Sequence, residues 1–149
     1  MKTVQKIIDS FGGLDWLRQE ENYIKIKLAS RAMMPLVIEY IGDWQGKPHF
    51  PMISVAHYYT QNGDQMRDPE MVFFLDMSAP VPGIPPAWTP ISYQQDNMGI
   101  YNQVYDLGEN GDIKRIRVKL ISELTSFSKS WDMQIKAHGY GELTVNLAA

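Results

Sequence analysis

The densest group of side chains able to do chemistry flanks Asn62-Gly63: His57 precedes it, and Asp64, Arg67, Asp68 and Glu70 follow. An imidazole beside carboxylates can bind a divalent cation or move protons near neutral pH. Asn-Gly between two strand-like runs is a hairpin signal, because both turn positions need positive φ. With Asn62-Gly63 as the loop, antiparallel pairing sets Gln61 against Asp64, Tyr59 against Met66, His57 against Asp68 and Val55 against Glu70. A Gly63-Asp64 loop would set His57 against Glu70 instead, and a three-residue loop would set it against Pro69. Alternation along a strand gives Asp68 and Glu70 one shared face, with Pro69 between them marking an edge or a bulge. The expected cluster is therefore His57, Asp68 and Glu70, with Arg67 and Asp64 nearby. A solvated hairpin end whose charges neutralise one another satisfies the same pattern.

Other motifs carry less. Asp112-Ile113-Lys114 fits half of a nuclease-type acid/lysine site, but an acid such as Asp68 would have to be brought to it. His49, His57 and His138 lack the spacing of a zinc site, and Gly139-Tyr140-Gly141 follows a helix instead of opening one, unlike a dinucleotide loop. No Walker A sequence and no Gly-x-Ser-x-Gly elbow is present. No catalytic residue, metal ligand or cofactor is assigned on this basis. Aromatic residues crowd the loops; Trp88 after the proline run, and Tyr93 and Tyr101 on either side of Asp96 and Asn97, suit partner recognition as well as packing.

The elements that must position these residues follow from periodicity. Val4, Ile7, Ile8, Phe11, Leu14 and Leu17 predict a helix over about 3–19 that ends or kinks at Gly12-Gly13. Alternating or β-rich runs predict strands at about 23–29, 36–41, 52–60, 66–76, 89–93 and 100–107, with a Pro35-containing connection after the first. Four prolines between Ser78 and Pro86 make that stretch a surface crossing. Ile113, Ile116, Leu120, Ile121, Leu124, Phe127, Trp131 and Ile135 form a near-helical stripe ending at Gly139. Ile116 to Leu120 also alternates, and four basic residues in the first turns would oppose the macrodipole. The helix therefore starts somewhere between 112 and 119, with a short strand before it if the later start holds. The expectation is one α+β domain over 1–149: an antiparallel meander of five or six strands with an N-terminal helix and a long C-terminal helix packed on one face.

Composition narrows the function classes. A chain of 149 residues that is 44% hydrophobic and 21% charged has the balance of one globular domain. Its net charge of −3 disfavours bulk binding to nucleic acid, and the absence of cysteine excludes thiolate sites and disulfides. No signal-like or membrane-spanning run is found, so a cytoplasmic location without membrane association is expected.

The hairpin from Gln61 to Phe73 resembles the signature of an uncharacterised bacterial family common in phages, plasmids and integrative elements. Two further stretches support it: Trp88-Thr89-Pro90 with Tyr93-Gln94-Gln95-Asp96-Asn97 and Gly99-Ile100-Tyr101, and Phe127-Ser128-Lys129-Ser130-Trp131 with Gln134 and Gly139. The resemblance spans Tyr23 to Gly139, with His138 standing where a Gln is expected. It implies a mobile-element accessory protein and carries over no catalytic residues. The leading expectation is thus a non-enzymatic binder of a protein partner, a host-defence component among the candidates, using His57, Asp64, Arg67, Asp68, Glu70, Trp88, Tyr93, Asp96, Asn97 and Tyr101. The competing expectation is a metal-dependent hydrolase or nuclease using the His/Asp/Glu cluster.

Overall fold

The computed structural model describes residues 1–30 and 33–142. The chain runs α1 (Lys2–Ser10), α2 (Leu14–Leu17), β1 (Ile24–Ile26), β2 (Leu36–Asp43), β3 (Pro51–Gln61), β4 (Asp64–Leu75), β5 (Trp88–Gln95), β6 (Ile100–Gln103), β7 (Tyr105–Leu107), β8 (Ile113–Ile116) and α3 (Val118–Ala137). Strands β1 to β6 pair in chain order as one antiparallel meander, and β7 with β8 forms a separate two-stranded ribbon. The α+β architecture expected from the sequence is therefore present, with six strands in the main sheet. Strand lengths rise from 3 and 8 residues to 11 and 12, then fall to 8 and 4 across that sheet. Part of the Pro35-containing connection, and the last seven residues of the expected domain, fall outside the described residues.

Local chemistry explains where elements break. Gly12 and Gly13 take φ of 119° and 85°, which side chains resist, so the periodic N-terminal run divides into α1 and α2. The strand expected over 100–107 is likewise two strands. Its division falls at the buried Val104, whose N–H donates to the Ile91 carbonyl at 2.8 Å and whose carbonyl accepts from the Arg117 N–H at 3.0 Å. The last helix takes the later of its two possible starts. Ile113 to Ile116 forms β8, which keeps Lys114 and Arg115 out of a helical first turn. Ile113 and Ile116, part of the expected apolar stripe, are instead exposed on the ribbon.

Residues of one parity make the core. Ile24, Ile38, Val55 and Met71 stand side by side across four strands and meet Val4, Ile7 and Ile8 of α1 and Leu124, Trp131 and Ile135 of α3. Fully burying each such side chain stabilises the fold by roughly 1.5–3 kcal/mol. A charged group sits within this apolar layer. The carboxylate of Asp132, buried in α3, accepts hydrogen bonds from the Thr3 N–H at 3.0 and 3.1 Å and from the Val4 N–H at 3.2 Å. These donors belong to the first turn of α1 and have no partner within their own helix. The Asp132→Ala variant is expected to lose about 2–3 kcal/mol of stability, read as a lower urea midpoint with an unchanged slope.

Candidate functional site

Asn62 and Gly63, at φ of 52° and 84°, form the two-residue turn that joins β3 to β4. Beside the turn the expected register holds: Gln61 pairs with Asp64 and Tyr59 with Met66. It then shifts. Tyr58 pairs with Arg67 but Ala56 pairs with Glu70, so the single residue His57 stands opposite both Asp68 and Pro69. Pro69 thus marks a bulge against β3, at the end of the stretch that β5 does not reach, for β4 is paired on both sides only from Glu70 onward.

The extra residue reverses the parity of everything beyond it. Asp68 and Glu70 consequently lie on opposite faces of the sheet, and the expected convergence of His57, Asp68 and Glu70 does not occur. Among the described residues, no group of three or more His, Asp or Glu side chains is arranged to hold a metal ion. Asp112 and Lys114 pair with each other at 2.8 Å on the β7–β8 ribbon, while Asp68 lies against Gln95.

On the helix side His57 enters an aromatic wall. Its ring centroid lies 5.6 Å from that of Trp131 and 5.5 Å from that of Tyr140, and Nδ1 is 3.2 Å from the Pro35 carbonyl. A carbonyl can only accept, so that contact places the imidazole proton on Nδ1. Burial pushes the His57 pKa down, opposed by the Pro35 contact and by the Asp68 charge. Asp68 Oδ1 accepts from Gln95 Nε2 at 2.9 Å, and Gln95 Oε1 accepts from the Tyr93 hydroxyl at 2.7 Å. Burial, with Asp68 as a lesser cause, raises the Tyr93 pKa, and its ring packs edge-on against Phe127.

The face away from the helices carries the other half. Ser54, buried in the middle of β3, donates from its hydroxyl to Glu70 Oε2 at 2.8 Å. Glu70 Oε1 is 3.3 Å from Arg67 Nε, close enough for an ion pair without hydrogen-bond alignment. Burial, aided by the charges of Glu70 and Glu39, pushes the neighbouring Tyr58 hydroxyl up to about 12. Asp96, in the turn between β5 and β6, accepts from the Arg67 N–H at 2.8 Å and pairs with its guanidinium at 3.4 Å. That backbone hydrogen bond, seconded by Gln94 and the guanidinium, holds the Asp96 carboxyl below the usual carboxylate range. Tyr101 lies opposite Gln94 on this same face and is 59% exposed, and Met98 is 65% exposed beside it in the turn.

The sequence-expected residues thus divide. Arg67, Glu70 and Asp96 form one bonded network on the outer face, bordered by Tyr101 and the exposed Asn97, while Asp64 stands exposed at the turn. His57, Asp68 and Tyr93 belong to the helix side, and Trp88 lies at the far end of the sheet. Sequence reasoning missed Ser54, Gln94 and Gln95. The signal for Ser54 was a lone polar residue in the apolar run Met52 to Ala56.

Fold and site define an α+β domain in which a meander sheet carries helices on one face and a linked polar network on the other. The chain belongs to the family described as Domain of unknown function (DUF6908), whose model matches residues 2–141. Comparison with curated proteins and with solved structures gives no match.

Two outcomes follow from this geometry. A histidine whose folded pKa lies below its unfolded value takes up protons more readily when unfolded. The stability it contributes is therefore present above about pH 6.5 and lost as pH falls toward the folded pKa. Thermal unfolding between pH 7.5 and 5 should show this loss, and the His57→Gln variant should show a flatter profile. In the Asp96→Ala variant, the Arg67 amide loses its acceptor, and its hydrogen-exchange protection should fall by about tenfold.

Proposed function

We propose that this protein is a non-enzymatic accessory protein of a phage or other mobile element, and that it binds a protein partner through the outer face around Arg67, Glu70, Asp96 and Tyr101. A host-defence component is the partner class this reading favours. The observation that carries the binding surface is the Arg67–Asp96 linkage, because it fixes the hairpin and the 96–98 turn to each other before any partner arrives. A surface already held in shape loses less freedom on association. Around this linkage stand the two features of an interface centre, an exposed aromatic in Tyr101 and an exposed, adaptable Met98.

The mobile-element setting rests on the resemblance of the hairpin and the two later stretches. A protein partner is preferred to nucleic acid because the net charge is −3 and the one arginine of the network is already paired to carboxylates. The competing hydrolase reading gains no specific observation, since the bulge sends the Asp68 and Glu70 carboxylates to opposite faces.

The test is affinity capture from the native host with wild-type protein, the Tyr101→Ala/Met98→Ala variant and a Lys47→Ala control on another surface. A partner retained by wild type and control but lost at least tenfold by the double variant is expected. Identical partner lists for all three proteins, or no partner for any of them, would overturn the reading.

A further inference from the structure

A groove of ≈ 860 Å³ lies at the opposite end of β4 from the Asn62-Gly63 turn, bounded by α1, α3 and the proline-rich crossing. Its volume falls in the range of about 300–1,000 Å³ typical of small-molecule sites. Leu75, Met77 and Trp88 form an apolar floor, and Ile84, Pro85 and Pro86 of the crossing form one wall. Ile84 is 65% exposed, so apolar surface faces solvent inside a concavity.

The floor is fixed in place. The Trp88 indole N–H donates to Gln5 Oε1 at 3.0 Å, Gln5 Nε2 donates to Asp9 Oδ1 at 3.1 Å, and the Trp88 ring packs edge-on against the buried Phe73. The one polar atom of the indole is thereby satisfied, leaving the remaining ring surface for apolar contact.

Charge along the groove is uneven. Lys2 and Lys6 stand one helical turn apart on α1, and Lys129 joins them from α3. None of these three lysines forms an ion pair among the described residues. The acidic lining residues are Asp9, already bonded to Gln5, and Asp15 beyond the glycine break. Three free ammonium groups above an apolar floor complement a molecule with an anionic head and an apolar body.

We propose that this groove is a binding site for a small amphipathic anion, a fatty or aromatic carboxylic acid, with its head at Lys2, Lys6 and Lys129 and its body along Leu75, Met77, Ile84 and Trp88. The site is separate from the partner surface around Arg67 and stands or falls independently of it.

The experiment uses the full chain and the fluorescent anion 8-anilinonaphthalene-1-sulfonate, displaced by decanoate below its micellar concentration or by decyltrimethylammonium, which has the same chain and opposite charge. Saturable probe binding is expected, with decanoate displacing it at least tenfold more effectively than the cation. The Lys2→Glu/Lys129→Glu variant and the Ile84→Asp variant should each weaken decanoate at least tenfold. The Trp88 indole N–H resonance of the wild-type protein should also move on decanoate titration, which gives a readout even if a variant misfolds. Absence of saturable probe binding, equal displacement by anion and cation, or an unmoved Trp88 resonance would overturn the proposal. So would unchanged decanoate affinity in both folded variants, or a concentration-dependent dimer that excludes the probe by closing the groove with a second copy.

Discussion

Asp132 fastens the first helix to the last, across 129 residues of sequence, through three hydrogen bonds from two backbone amides. A carboxylate buried among Trp131, Ile135 and Val4 would be strongly unfavourable without donors, and a helix start buried without an acceptor would be equally costly. Each defect answers the other. Because α1 is thereby placed on α3, the apolar stripe of each helix meets the same face of the meander. The aromatic wall around His57 and the groove floored by Trp88 both depend on that placement, since each is built partly from the helical layer.

The second constraint is a matter of counting. One extra residue opposite His57 turns a single charged cluster into two, one packed beneath α3 and one facing outward. Electrostatics then treats the two halves differently. Under the helix, burial favours neutral forms at His57 and Tyr93, with Asp68 bonded to an amide. On the outer face, an arginine between two carboxylates keeps the network charged at modest cost, because all three side chains retain some contact with water.

Much of the architecture could be read from the sequence because its causes are local. Asn62-Gly63 needs positive φ, Gly12-Gly13 interrupts a helix, and four prolines exclude regular structure between Ser78 and Pro86. The expected bulge or edge at Pro69 was also legible, since proline cannot donate to a ladder. Its effect on the register was not, because a one-residue offset leaves the composition and the alternation on either side unchanged. The competition between helix and strand before Val118 was visible as two overlapping periodicities. It was decided by pairing with β7 and by the bidentate bond from Arg117 to Asp106 at 2.8 and 2.9 Å, contacts outside any local window. The links from Asp96 to Arg67 and from Ser54 to Glu70 are likewise long-range, and neither residue type announces them. Asp132 reads in sequence as an ordinary polar residue next to a tryptophan.

The taper of the main sheet, from 12 residues in β4 to 3 in β1 and 4 in β6, bears on how the molecule behaves in a crowd of its own kind. An outermost strand offers its unpaired N–H and C=O groups as a template for a foreign chain. Here the outermost strands are the shortest, and β3 and β4 have neighbours on both sides over 53–56 and 70–74, while the hairpin tip beyond the bulge is paired only within itself. An intermolecular sheet would have to begin on a short strand such as β1, which carries the charged Lys25, or on the hairpin tip, which carries Asp64, Arg67 and Asp68. The fold thus keeps the apolar stretches of its longest strands between neighbours and leaves a polar, charge-bearing hairpin tip as a free edge.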